Sequence, residues 1–277
     1  MDVIHSVTEL RARLAREPNN VVVPTMGNLH EGHVKLVDNA KPRGACTVVS
    51  IFVNRMQFGP KEDFEKYPRT FLADCEKLKA AGCNVVFAPT EQEIYPEPQT
   101  FAVEPPEIQH ILDGAVRPGH FRGVATVVLK LFNMVQPKAA IFGKKDYQQC
   151  IVLRNMVRQL ALPIEIILAE TVRAEDGLAL SSRNGYLSAS ERKEAPQLFK
   201  VLTAARDEVA AGKRDYQRIE LESMARLAGR GWKPDYIAIR RQSDLQEPDL
   251  NDRDLVIVAA ARLGVTRLID NLELSIR

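Results

Sequence analysis

The chain has 277 residues, of which 45% are hydrophobic and 27% charged, with 15 glycines and 16 prolines. That is longer than one ordinary domain and sufficient for a sizeable core, which excludes disordered, fibrous and low-complexity classes. With 38 basic and 36 acidic side chains the net charge is only +2, so no general positive field exists for wrapping nucleic acid and any anion must be held locally.

Ser6 and Glu9 have capping-box spacing ahead of Leu10 and Leu14, predicting a helix that the Pro18-Asn19-Asn20 run stops. Val21-Val22-Val23 reads as a strand, Pro24 to Asn28 as a turn, and Val34, Leu36 and Val37 as a helical pattern. A continuous apolar strand over 46–53 follows, then a helix over 70–81, a strand over 85–87, a helix over 124–135 and a strand over 139–142. Next come a helix over 147–160, a strand over 164–168 and a loop over 173–186. Apolar strands alternating with helices imply an α/β protein, a parallel sheet covered on both faces. From Ser188 the character changes to two long charged helices, 189–211 and 216–227, and two strand candidates, 236–240 and 255–260. The expected division is therefore residues 1–185 and a smaller C-terminal α/β domain over 186–277. Cys46, Cys75, Cys83 and Cys150 form no Cys-x-x-Cys pair, which argues against a disulfide framework or zinc knuckle and fits a reducing cytosol. The arginine-bearing first helix and the absence of any apolar run near ~18 residues predict a soluble, unprocessed protein without a membrane span.

Five segments carry candidate chemistry. In Met26-Gly27-Asn28-Leu29-His30-Glu31-Gly32-His33, a strand turns into a helix whose N-terminal N–H groups and dipole suit phosphate, and Gly27 and Gly32 permit close approach. His30 and His33, three apart on the first turn, would offer protons to charge developing on phosphate oxygen; histidines at a helix start also serve simply in packing. In Asn54-Arg55-Met56-Gln57, after the second sheet strand, Asn54 and Gln57 can recognise hydroxyls and a carboxylate without adding charge, or merely end a strand. Gly143-Lys144-Lys145-Asp146, with Gln149 a turn further on, offers a mobile cation for phosphate and an acceptor for ribose. Leu180-Ser181-Ser182-Arg183 can wrap a triphosphate or act as an interdomain turn, and the loop from Arg117 to Gly123 can bind a carboxylate or merely connect two elements.

Read together, PTMGNLHEGH, VSIFVN with QFGP, YPRT, RPGHFRGV, KLFN, GKKDYQQ and GLALSSRNGYLS resemble the pantoate–β-alanine ligase family, in order and almost continuously over residues 20–187. The resemblance implies a Rossmann-like parallel sheet of the nucleotidyltransferase superfamily with a C-terminal lid domain. It implies condensation of pantoate with β-alanine through a pantoyl-adenylate, with ATP as co-substrate, Mg²⁺ and a homodimer. Residue by residue it implies ATP binding by Met26, Gly27, Asn28, Leu29, His30, Glu31, Gly32 and His33, with His33 as the catalytic proton donor. It adds Gly143, Lys144, Lys145, Asp146, Val172, Leu180, Ser181, Ser182 and Arg183 to the ATP site. Gln57 and Gln149 are implied for pantoate, and Gln57, Asn54 and Arg117 for β-alanine. Two positions depart from the pattern: Arg55 replaces a usual proline, which should loosen its loop and put charge near substrate, and Lys144 replaces a usual glutamate. A relative that adenylylates or cytidylylates another substrate would share the first motif but lack the two glutamines, and an idle nucleotide-binding regulator would keep the fold alone.

Overall fold

The computed structural model describes residues 1–60 and 62–276. They form two compact units, the first comprising Met1–Lys144 and Val152–Glu170, the second Lys145–Ile151 and Thr171–Arg277 up to residue 276.

The first unit is built on six parallel strands. In chain order they and their helices are β1 (Asp2–Ile4), α1 (Val7–Leu14), β2 (Asn20–Thr25), α2 (Glu31–Ala40), β3 (Cys46–Ile51), α3 (Phe71–Ala80), β4 (Val85–Phe87), α4 (Glu91–Ile94), α5 (Asp113–Val116), α6 (His120–Val135), β5 (Ala139–Gly143), α7 (Tyr147–Gln159), whose first residues up to Ile151 are counted with the second unit, and β6 (Glu165–Ala169). Strand order is β1-β4-β3-β2-β5-β6. Val21, Val23, Val49, Val86 and Ile141 come from strands of this sheet and share one core with Val37 and Leu78 from the helices, which is why these strands read as unbroken apolar runs. The chain steps outward from β2 to β3 and β4, then returns to the other side of β2 for β5. The order thus reverses beside β2, and ligands of open α/β sheets bind outside the carboxyl ends of strands at such a point.

Helix α1 begins as expected, with the Glu9 N–H donating to Ser6 Oγ. Helix α6 begins four residues earlier than its apolar periodicity suggested, at His120, because Gly119 adopts φ 81° ahead of its first turn. Gly123 sits inside that helix for a steric reason. A Cβ there would lie 2.3 Å from the Met56 carbonyl oxygen and 2.7 Å from Gln57 Cα.

The second unit pairs helices α8 (Ala189–Glu194), α9 (Gln197–Ala210) and α10 (Tyr216–Ala228) with an antiparallel sheet of β7 (Lys233–Arg241), β8 (Asp254–Leu263) and β9 (Thr266–Ser275), in the order β7-β8-β9. The single helix expected over 189–211 is two. Pro196 lacks the N–H that a continuous helix needs, so α8 ends before it and α9 starts after it. Beyond the two expected strands, β9 completes the sheet. Leu198, Leu202, Ile219, Trp232, Ile239 and Ile257 form its core.

Candidate active site

The turn from β2 into α2 holds two consecutive left-handed residues, Gly27 at φ 81° and Asn28 at φ 51°. A Cβ on Gly27 would stand 3.1 Å from Ile51 Cγ2 and 3.2 Å from Asp74 Oδ2, so glycine answers both the angle and the space. Leu29 is buried and anchors the turn in the core.

The helix start was expected to offer bare N–H groups to phosphate; here several N–H groups of the turn and the helix start have partners within the protein. The Gly32 N–H donates to His30 Nδ1 (3.1 Å) and the His30 N–H to His33 Nδ1 (3.3 Å), a capping box made of imidazoles. The Gly27 N–H donates to Thr25 Oγ1 (3.2 Å). Asn28 and Leu29 donate to the two oxygens of Asp74, each at 2.8 Å. This changes the chemistry of the motif. A neutral imidazole that accepts at Nδ1 carries its proton at Nε2, so both histidines are set as Nε2–H donors, their rings 4.1 Å apart at 42°.

At the neighbouring strand end, Thr25 Oγ1 donates to the Ser50 carbonyl and Phe52 N–H to the Thr25 carbonyl, locking the ends of β2 and β3 together. Gln57 lies on a 3-10 turn, Arg55–Gln57, and its Nε2 donates to Met26 Sδ (3.3 Å), which brings those two predicted residues together. Asn54 is buried at 1% exposure and its side chain is engaged on both sides. Its Nδ2 donates to Gln57 Oε1 (3.1 Å) and the Gly123 carbonyl (3.2 Å), while Tyr95 OH (2.7 Å) and the Met56 N–H (3.3 Å) donate to its Oδ1.

Arg117 forms a bidentate pair with Glu62 at 2.6 and 2.8 Å. Burial pushes the Glu62 carboxyl up, but the Arg117 hydrogen bonds and charge outweigh it and leave the group below its ordinary value. His120 Nδ1–H donates to the Gln57 carbonyl (2.8 Å), and Arg117 Nη1 stands 3.0 Å from His120 Nε2. Burial, reinforced by the Arg117 charge, pushes His120 down to about 4. It is therefore a neutral Nδ1–H donor at pH 7.

The two departures from the family pattern are absorbed locally. Arg55 opens the 3-10 turn, stacks 4.0 Å over the Phe64 ring and pairs with Glu65 and Glu91, each at 3.3 Å. Lys144, at the end of β5 where Gly143 also lies, pairs with Glu170 at 2.6 Å.

Within the second unit, Val172 and Leu180 face each other across a hairpin, the Leu180 N–H donating to the Val172 carbonyl (2.9 Å). Arg173 in that hairpin forms a bidentate pair with buried Asp270 (2.6 and 2.8 Å) and stacks 3.8 Å over Phe199. Asn271 Nδ2 donates to the Lys145 carbonyl (2.9 Å), so β9 secures the loop that carries Lys145 and Asp146. Lys145 and Ser181 line one small cavity together with Asn184 and Asp270. Ser181 Oγ accepts from the Arg183 N–H at the start of the 3-10 turn Ser182–Tyr186. Gln149, on the first turn of α7, is half-buried beside buried Gln148.

Sequence reasoning missed Asp74, Tyr95, Glu62, His120 and Asn271 as supports of these loops. Each acts on a segment far along the chain, and apart from His120, which lies in the Arg117 to Gly123 loop without a role assigned to it, none belongs to a contiguous motif that chemistry alone would single out.

The first unit is thus a parallel α/β sheet with a strand-end histidine turn beside its switch point, the place where such sheets bind ligands. The sequence profile described as pantoate-beta-alanine ligase matches residues 2–273, and the chain belongs to that family. Two crystal structures from Thermus thermophilus, one described as pantothenate synthetase and the other as pantoate-beta-alanine (pantothenate synthetase), match at TM-score 0.93. They are 44% and 45% identical to this chain, and each alignment covers 98% of this chain and 99% of theirs. A pantoate-beta-alanine ligase from Francisella tularensis, complexed with beta-gamma ATP and beta-alanine, matches at TM-score 0.84 and 32% identity over 98% of this chain and 97% of its own. The family's activity is the ATP-dependent condensation of pantoate with β-alanine to pantothenate, so this chain is a ligase that forms an amide bond.

Proposed function

We propose that the ligase activates pantoate as pantoyl-adenylate, releasing pyrophosphate, and that the amine of β-alanine then displaces AMP. A free carboxylate is a poor acyl donor, and a mixed anhydride with AMP provides a good leaving group. The observation that carries the reading is the His30–His33 pair, whose Nδ1 atoms accept backbone N–H bonds and so set two Nε2–H donors side by side. Charge grows on the oxygens of the α-phosphate and the departing pyrophosphate as pantoate attacks, and fixed donors there favour the transition state over the ground state. In this reading His33 gives the catalytic proton, and the turn from Met26 to His33 holds the triphosphate through its side chains more than its capped N–H groups.

Gly143, Lys144, Lys145 and Asp146 receive the nucleotide with Val172 and Leu180, while Ser181, Ser182 and Arg183 neutralise and wrap the phosphates. Gln57 and Gln149 orient pantoate through neutral hydrogen bonds that leave its carboxylate reactive. Asn54 serves β-alanine through Gln57, whose amide it holds, and Arg117 through its place beside the Gln57 carbonyl.

Mg²⁺ belongs on the triphosphate, where it would neutralise charge. Among the described residues no three His, Cys, Asp or Glu side chains group as metal ligands, and this cation is commonly held by phosphate oxygens and water with few protein groups. A homodimer in the cytoplasm completes the proposal. Four cysteines outside any disulfide, three of them buried, suit a reducing compartment.

The test is an omission assay. ATP and pantoate together should release pyrophosphate in a burst of about one equivalent per active site without β-alanine, and AMP should turn over only with all three substrates. Pyrophosphate release that strictly requires β-alanine would contradict a separate adenylation step.

A further inference from the structure

The two left-handed residues Gly27 and Asn28 form a concave backbone cradle, and successive N–H groups in such a cradle bind anions. Here the anion is the protein's own. Asp74 is fully buried, and its carboxylate takes the Asn28 and Leu29 N–H groups, one on each oxygen, and the Thr70 hydroxyl (3.1 Å). Three residues along α3, the Lys77 ammonium donates to the Leu29 carbonyl at 2.6 Å. One helix thus grips both the donors and the acceptor of the turn that leads directly into His30.

Asp74 brings a negative charge beneath a loop that the proposed function assigns to triphosphate. As a phosphate ligand it would repel. As a clamp it fixes geometry, because a carboxylate can accept from two diverging N–H groups and a hydroxyl at once, whereas an amide would turn an NH₂ against one of those N–H groups. We propose that Asp74, assisted by Thr70 and Lys77, is a positioning residue for adenylation: it holds the left-handed turn so that His30 and His33 meet the phosphates, and it touches no substrate. The proposal rests on the adenylate reading above.

The test separates the two half-reactions in the full-length enzyme. One assay follows pantoate-dependent exchange of labelled pyrophosphate into ATP, and the other follows pantothenate formed from supplied pantoyl-adenylate and β-alanine. Asp74→Asn should lower exchange by about 30-fold or more and raise the KM for ATP, while the KM for pantoate stays within about twofold and conversion of supplied adenylate within about threefold. Lys77→Met, on the exposed side of α3, should lower exchange alone by about three- to tenfold, and it carries the test if Asp74→Asn does not fold. Equal losses in both half-reactions, or exchange near wild type in both variants, would overturn the positioning role. Absence of exchange in the wild-type enzyme would instead overturn the adenylate reading, and the step assigned to Asp74 with it.

Discussion

Replacing His33 by alanine removes both the Nδ1 acceptor for the His30 N–H and the Nε2–H donor on the far side of the ring. The lost cap costs about 1 kcal/mol, too little to unfold a protein of this size, whereas a lost acid or electrostatic catalyst costs about 100-fold or more in rate. Pantoate-dependent pyrophosphate exchange in His33→Ala should therefore fall by more than about 100-fold while circular dichroism stays native. Near wild-type exchange would remove the assigned role. His120 gives a prediction of another kind. Its ordinary value of 6.5 drops to about 4 in the fold, so between those two pH values the unfolded chain binds a proton that the folded chain does not. Stability contributed by this group therefore rises with pH across the window and is lost on acidification from 6.5 toward 4. Urea midpoints at pH 6.5 and 4.5 should differ less in His120→Gln than in the wild type, and an identical difference would contradict the neutral, buried histidine.

At the scale of elements, the contact between α6 and the 3-10 turn depends on a missing side chain. Gly123→Ala would set a Cβ 2.3 Å from the Met56 carbonyl oxygen, where only backbone can give way. Overpacking of this kind costs about 1–3 kcal/mol and displaces Gln57 with its turn. The variant should melt several degrees lower and need more pantoate for half-saturation; unchanged values of both would show that the helix does not set the position of Gln57. The same scale shows what could be read from sequence. Strands β2 to β5 were legible because each is an apolar run buried along most of its length, and half-buried β6 because its Ile166-Ile167-Leu168 run is apolar as well. Strand β9 was not, since it buries Asp270 and Asn271 next to each other and so breaks the alternation that marks a strand. β1 is only three residues long, two of them exposed. The motifs around His30, Gln57 and Lys145 were legible because each is one turn after one strand. Asp74 was not, because it contacts Asn28 and Leu29 from 46 and 45 residues away and looks like any acidic residue in a helix.

At the scale of the whole molecule, the residues given proposed roles are divided between the two compact units. The first unit supplies the histidine turn, Gln57 and the ends of β2, β3 and β5; the second supplies Lys145, Asp146, Gln149 and the Val172 to Arg183 hairpin and turn. The proposed roles all serve one proposed chemical event, attack of a carboxylate oxygen on the α-phosphorus of ATP. Oxygen-18 placed in the carboxylate of pantoate reports on that event. If pantoyl-adenylate forms and β-alanine attacks its carbonyl carbon, one labelled oxygen stays with phosphorus, and mass spectrometry should find it in AMP, with pyrophosphate unlabelled. Label in inorganic phosphate or pyrophosphate, or AMP without label, would contradict adenylation and the roles assigned to His33 and Lys145.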